Sequence, residues 1–435
     1  MMAICMTSNN GALDLAGWLR YLESLHPKTV DLGLERVLAV KERMGLAPSF
    51  PIITVGGTNG KGSTCAMLES ILRAGGYRTG LYSSPHLLRY NERVRLNGAE
   101  ADDATLCAAF AAVETGRGEI SLTYFEFATL AAIWLFIREK PDVVVLEVGL
   151  GGRLDAVNAF SADCAVVTSV AIDHSDYLGD TREAIGFEKA GIFRAGRAAI
   201  YAESNPPQSV VRHAAEVGAR FLQIGKDFGY RAESGQWAFR GQDTHLDGLP
   251  FPALRGTYQL ANASAALAVL EQMKDRLPLT NNDIRRGLLE VVLAGRFQVL
   301  PGRPQVILDV AHNPHAALAL AENLKNLPSS GKTIAVFATL RDKDIAGVVR
   351  NMGEVVDVWL LAGIDQPRGA SADDLLAVLR AEGVADRALV FGDVAAAYLH
   401  ACNMAGDDDR IAAFGSFYTV ADVLSCRSAR SAALP

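Results

Sequence analysis

Apolar, β-branched runs recur along the chain at spacings that leave room for a helix between them. The first series is PIITV at 51–55, TGLYSS at 79–84, DVVVLEV at 142–148 and CAVVTSVAI at 164–172, each followed by a glycine-rich or polar turn. Runs without polar alternation suit strands covered on both faces, so the pattern predicts an α/β fold with a mainly parallel sheet. A second series follows Arg296: PQVILDVA (304–311), TIAVFATL (333–340), VVDVWLLAG (355–363), RALVFGD (387–393) and RIAAFGS (410–416). It reads as a compact Rossmann-like α/β unit. Between the two, residues 200–255 scatter Gly, Pro and aromatic residues and predict a small β-rich excursion, after which helical patterning returns at 259–274. The Gly and Pro residues of LAGRFQVLPGRP (293–304) suit a hinge, which divides the chain into residues 1–296 and 297–435.

The length of 435 residues agrees with two cores, because a single core stops growing at roughly 250–300 residues. With 50% hydrophobic and 21% charged residues, the composition is that of a soluble globular protein. A net charge of −7 without any Lys/Arg-rich run argues against a nucleic-acid partner. The longest apolar stretch, Phe127 to Ile137, is followed by Arg138, Glu139 and Lys140. It is shorter than the roughly 20 residues a membrane span needs and reads as a buried helix. The N-terminal MMAICMTSNN has neither a basic nor a proper apolar signal region, so a cytoplasmic protein is expected. Cys5, Cys65, Cys107, Cys164, Cys402 and Cys426 are scattered, with no CxxC and no histidine at zinc spacing, and are expected as free thiols.

Strand PIITV runs into GGTNGKGST (56–64) and then into a helical pattern. Glycines let a backbone wrap phosphate oxygens, the helix N-terminus points N–H groups at negative charge, and Lys61 adds a cation. The spacing departs from GxxxxGK[ST], since residue 55 is Val and a glycine follows the lysine; the strand-loop-helix context separates a phosphate loop from a structural glycine turn. The fold expected is therefore a P-loop-type, mainly parallel sheet domain followed by the Rossmann-like one.

Ligands of such sheets sit beyond the carboxyl ends of the strands. Those ends here deliver Ser83 and Ser84, Glu147, and Asp173 with His174. One carboxylate and a hydroxyl suit magnesium, whereas a histidine is a less usual ligand for so hard an ion and by itself reads as a hydrogen-bonded structural residue. Its place beside the other strand ends favours the ligand reading. GLGGRLD (149–155) lacks the third glycine of a dinucleotide fingerprint and reads as room for phosphate or substrate, with Arg153 and Asp155 as polar contacts. Lys189, within REAIGFEKAGIF, reads on its own as a solvated surface lysine.

These motifs resemble the folylpolyglutamate synthase group of the Mur ligase superfamily, in its bifunctional dihydrofolate synthase/folylpolyglutamate synthase branch. The resemblance runs from about residue 12 to 425, through KTVDLGLERV (28–37), GGTNGKGST (56–64), YSSPHLLRYNERV (82–94), LTYFEF (122–127), LEVGLGGRLDAVN (146–158), AIDHSDYLGDTREAIGFEKAGIF (171–193), LAGRFQ (293–298), DVAHNPHA (309–316) and GSFYTVADV (415–423). It implies ATP-dependent amide formation: the γ-phosphate passes to a carboxylate of dihydropteroate or a folate, and the amine of L-glutamate attacks the acyl phosphate. It assigns Thr58, Asn59, Gly60, Lys61, Gly62 and Ser63 to ATP, and Ser84, Glu147 and His174 to magnesium. Lys189 matches the lysine that the family N-carboxylates, which would help hold a second magnesium ion; unmodified, it would instead contact phosphate directly. Lys61, Lys189, His174 and Glu147 would thus carry catalysis. Asn262 and Arg296 would reach the nucleotide, and Asp309 and His312 of the DxAHNP motif would close over it. For the pterin, the matching residues are Thr29, Val30 and Asp31, with Leu122, Thr123, Tyr124 and Phe125; Arg153 and Asp155 complete the substrate set. The resemblance also favours a monomer.

Two other readings are weaker. A ligase acting on a UDP-sugar peptide would need a separate N-terminal domain, for which about 50 residues is short. A nucleotide-dependent switch of the GTPase kind would show an NKxD-like motif, and the chain has none.

Overall fold

The computed structural model describes residues 13–28, 30–327 and 331–432. The four runs of the first series become β1, β2, β5 and β6 of an eight-stranded sheet made of β1 (Ile52–Gly56), β2 (Thr79–Tyr82), β3 (Val94–Leu96), β4 (Ala99–Glu100), β5 (Val143–Glu147), β6 (Cys164–Val167), β7 (Ala198–Tyr201) and β8 (Arg220–Gln223). Their order is β4-β3-β2-β5-β1-β6-β7-β8, parallel except for β3 and β4 at one edge. Successive β1 side chains point to opposite faces: Ile52 joins the core with Phe127 and Phe136, and Ile53 and Val55 the core with Leu68 and Ile71. Both faces are covered, by helix Tyr124–Glu139 on one side and by helices Lys61–Ala74 and Gln259–Gln272 on the other, which is why the runs show no polar alternation. Thr123 caps the first of these helices in a capping box with Glu126.

The β-rich excursion is smaller than the sequence pattern implied. Residues 198–223 extend the main sheet as β7 and β8, because AAIY is a buried parallel strand. Only β9 (Gly229–Glu233), β10 (Gln236–Arg240) and β11 (His245–Leu249) form a separate antiparallel sheet, packed through Trp237, Phe239 and Leu249 onto the second core.

The second series forms a six-stranded sheet of β12 (Gln298–Leu300), β13 (Gln305–Leu308), β14 (Thr333–Phe337), β15 (Val358–Ala362), β16 (Ala388–Phe391) and β17 (Arg410–Phe414), in the order β12-β13-β17-β14-β15-β16. All neighbours are parallel except β12 with β13. Part of the expected hinge is thus a strand. The connection itself runs through Gly295 (φ 68°) and Phe297 (φ 42°). Among the described residues, no helix is long and apolar enough to cross a membrane.

Candidate active site

The loop after β1 is held open by its neighbour. Thr58 N–H donates to Ser169 O (2.8 Å), Asn59 N–H to Ser169 Oγ (2.9 Å), and Thr168 Oγ1 donates to Asn59 O (2.6 Å). Gly57 (φ 142°) leaves no room for a side chain, since a Cβ there would stand 1.9 Å from Thr168 Oγ1. Gly60 (φ 88°) caps helix Lys61–Ala74, whose first N–H groups have no acceptor within the helix. Lys61 Nζ donates to the carbonyls of Gly57 (3.0 Å) and Thr58 (3.2 Å), so its ammonium stays at the loop. The loop is a preformed anion cradle.

Two cavities flank it. One, of about 750 Å³, is lined by Ser63, Tyr258, Asn262, Asp309 and His315 among others. The second, of about 520 Å³, is lined by Lys61, Gly62, Ser84, Glu147, His174 and Lys189. Asn59, Gly60, Arg296, Val310 and His312 line both, so the two cavities meet at the loop and at the junction of the two sheets. The strand ends singled out from sequence do come together.

Glu147 is 4% exposed; burial raises its carboxyl above the usual range, opposed by Lys61 and Arg296. Its Oε2 accepts the Ser84 N–H at 3.2 Å. His174 takes φ 54° at the start of helix Ser175–Leu178, and burial pushes its imidazole down to about 4, which leaves it neutral near pH 7. Lys189 is no solvated lysine: it is 4% exposed at the end of helix Arg182–Ala190, and burial, with Lys61 nearby, brings its amine down to about 7. The glycine turn explains its seclusion. A Cβ on Gly152 would meet the backbone carbonyls of Glu188 and Lys189 at 2.8 and 2.9 Å, so only glycine lets the turn close over that helix end. Among the described residues no three His, Cys, Asp or Glu side chains form a metal cage. The donor set of Glu147, Ser84 and His174 instead fits a magnesium ion that takes the rest of its oxygens from phosphate and water.

The second sheet contributes through its own strand ends. Asp173, whose side chain is 8% exposed, faces Lys343 Nζ at 2.6 Å, Asn313 Nδ2 at 3.0 Å and His312 Nε2 at 3.4 Å. Burial alone would raise its carboxyl, but His312, His174 and Lys343 hold it far below the usual range. Asn59 and Asn313 exchange amide hydrogen bonds of 3.1 and 3.2 Å. Asp309 accepts the N–H groups of Phe297 and Ala311, both at 2.8 Å, and so ties the connection to the DxAHNP turn. Arg296 lies over the Phe417 ring at 4.9 Å. Lys343 and Asn313 were missed as site residues. Their signal was positional, since each follows a strand of the second series.

Of the substrate-side residues, Val30, Asp31, Thr123, Phe125 and Asp155 line the second cavity. Three others lie elsewhere. Leu122 is fully buried in the core, the Tyr124 ring packs edge-on against Tyr90, and Arg153 is engaged by Glu188 at 2.7 Å and over Phe187, outside both cavities. Successive residues of 122–125 cannot all face one cavity, and Arg153 finds a carboxylate one helix away. Thr29 lies outside the described residues. Asp155 accepts the N–H groups of Leu150 (2.8 Å) and Val157 (3.0 Å), bracing the glycine turn, and burial pushes its carboxyl up to about 6.

Two family profiles match the chain: the Mur ligase middle domain over residues 55–270 and the Mur ligase glutamate ligase domain over residues 295–417. It is 48% identical over 420 residues to the dihydrofolate synthase/folylpolyglutamate synthase of Escherichia coli (strain K12), covering 96% of this chain and 97% of that protein. Among solved structures, E. coli FolC in complex with DHPP and ADP superposes with a TM-score of 0.93 at 47% identity, covering 98% of this chain and 100% of that one. A bifunctional folylpolyglutamate synthase/dihydrofolate synthase with Mn, AMPPNP and L-glutamate bound gives a TM-score of 0.89 at 48% identity, covering 96% of this chain and 98% of that one.

Proposed function

The chain belongs to the dihydrofolate synthase/folylpolyglutamate synthase family of Mur ligases, and we propose that it is an ATP-dependent ligase that adds L-glutamate to dihydropteroate and to folates through an acyl phosphate. One observation carries this reading: two cavities meet at a preformed phosphate loop, so a nucleotide in one can present its γ-phosphate to a carboxylate in the other. Phosphoryl transfer of this kind needs positioning and positive charge more than a protein nucleophile.

ATP would occupy the larger cavity, with Thr58 to Ser63, Asn262 and Arg296 around its phosphates and Asp309 and His312 behind it. Lys61 would leave its two carbonyls for phosphate oxygens. Ser84, Glu147 and His174 would hold magnesium, which when bound neutralises phosphate charge; N-carboxylated Lys189 would complete a second magnesium site. The amine lowered to about 7 supports that modification, because carbon dioxide adds only to the neutral form. In the smaller cavity Asp31, Glu126 and Asp155 offer acceptors to the donor-rich edge of a pterin, and Phe125 offers a ring face. Contacts from Asp173 and Asn59 to the second sheet would hold the halves together and keep water from the acyl phosphate.

We assign residues 1–296 to the ATP- and pterin-binding half and residues 297–435 to the ligase half. A monomer is what the family resemblance implies; Cys65, Cys107, Cys164 and Cys402 form no disulfide, in keeping with a reducing compartment, and Cys5 lies outside the described residues. The test is release of ADP from ATP with dihydropteroate or tetrahydrofolate, each with and without L-glutamate. Turnover is expected only when both acceptor and glutamate are present. Absence of dihydropteroate-dependent turnover overturns the first activity, and absence with tetrahydrofolate the second.

A further inference from the structure

Arg93 lines the smaller cavity beside Ser84 and Glu147, and no motif-based assignment accounts for it. Most partly buried arginines of this half have a carboxylate: Arg36 meets Asp31 (2.6 Å) and Glu126 (3.1 Å), Arg95 meets Glu69 (3.1 Å), and Arg117 meets Glu114 (2.6 Å). Among the described residues no carboxylate lies within 4.0 Å of Arg93. Its neighbour Glu92 is used up by the N–H groups of Leu87, Leu88 and Arg89.

The guanidinium is nevertheless held in place. Its Nε donates to His86 Nδ1 at 2.8 Å, and its carbon lies 5.6 Å from the Tyr90 ring and 5.5 Å from the Tyr124 ring. The Arg93 carbonyl accepts the Ser83 N–H at 2.9 Å, coupling its backbone to the strand end that bears Ser84. An oriented, partly desolvated cation on a cavity wall, with a neutral hydrogen-bond partner and aromatic faces in contact and the Glu147 charge acting on it only from beyond ion-pair distance, is a receptor for an anion. Phosphate is already served by the loop, Lys61 and Arg296.

We propose that Arg93 binds the carboxylate of the acyl acceptor and holds it in line with the γ-phosphate. This inference rests on the reading given above and deepens it. The acceptor's carboxylate is the benzoate of dihydropteroate in one reaction and the terminal glutamyl carboxylate in the other. Tyr124, which the cavity lining excludes, then acts as a positioning residue through Arg93.

The test compares wild type, Arg93→Gln and Arg93→Lys in the full chain. Calorimetry measures binding of a dihydropteroate analogue with its carboxylate and of one with hydrogen in its place, and kinetics vary dihydropteroate, ATP and L-glutamate in turn. In wild type the acid analogue binds better. In Arg93→Gln that preference collapses and KM for dihydropteroate rises about 10- to 100-fold, with KM for ATP and L-glutamate near wild type, and Arg93→Lys recovers part of the loss. ATP binding reports that each variant is folded. A preserved preference in Arg93→Gln, or an effect confined to ATP or to L-glutamate, overturns the proposal. Failure of the reading itself looks different: wild type shows no acceptor-dependent ADP release, while the analogue comparison still tests Arg93.

Discussion

Replacing Asp173 by Asn removes one charge from the buried cluster joining the two sheets while keeping its shape. Asp173 and Lys343 are 2.6 Å apart with side-chain exposures of 8% and 5%. Removing one member of such a pair leaves the other buried and uncompensated, at a cost of about 3–5 kcal/mol. Because Lys343, His312 and Asn313 all follow strands of the second sheet, the loss falls on the junction. The transition that reports it should drop on the order of 10 °C. The pH dependence has a definite sign. A carboxyl held below its unfolded value contributes stability above about pH 4 and loses it as pH falls further. Wild type should therefore lose stability below pH 4 more steeply than Asp173→Asn. Thermal unfolding from pH 3 to 8, with turnover at pH 7.5, measures both effects. Adding Lys343→Met removes the stranded ammonium and should restore about 1–3 kcal/mol. A melting point unchanged by Asp173→Asn, or a double variant as unstable as the sum of the singles, would refute this account of the junction.

Lys61→Ala should lower acceptor-dependent ADP release about 100- to 1,000-fold with little change in melting, because its ammonium touches only carbonyls of its own loop. Lys189→Arg keeps a charge but cannot be carboxylated, and should be severely impaired. In wild type, removing carbon dioxide should depress turnover and bicarbonate should restore it, more strongly above pH 7, where the neutral amine predominates; an indifferent enzyme counts against the modification. Arg153→Gln should leave KM for dihydropteroate near wild type and cost less than about 1 kcal/mol of stability, since its guanidinium is on Glu188 and outside the cavities; a large rise in KM would put it back among the substrate contacts.

The sequence by itself determined the runs that form β1, β2, β5, β6 and β13 to β17, the strand-loop-helix shape of GGTNGKGST and the set of strand ends, but not β3, β4, β7, β8 or β12. Those properties are local: a run buried on both faces contains no polar alternation, and the glycines of GGTNGKGST set the shape of their own loop. Ser84, Glu147 and His174 were legible because the carboxyl ends of parallel strands share one side of a sheet. Only the tertiary structure decided which neighbours of a motif point into the cavity. Leu122 and Tyr124 sit beside Thr123 and Phe125 in the chain, yet the first enters the core and the second packs on Tyr90. Arg153 is held by a helix more than thirty residues on, and Lys189 is secluded by a glycine turn at 149–152 rather than by its own helix. Likewise the Asp173–Lys343 pair joins residues 170 positions apart. Whether a charged side chain finds a counter-ion, a cavity or water depends on which distant segment packs beside it, and periodicity along the chain does not encode that choice.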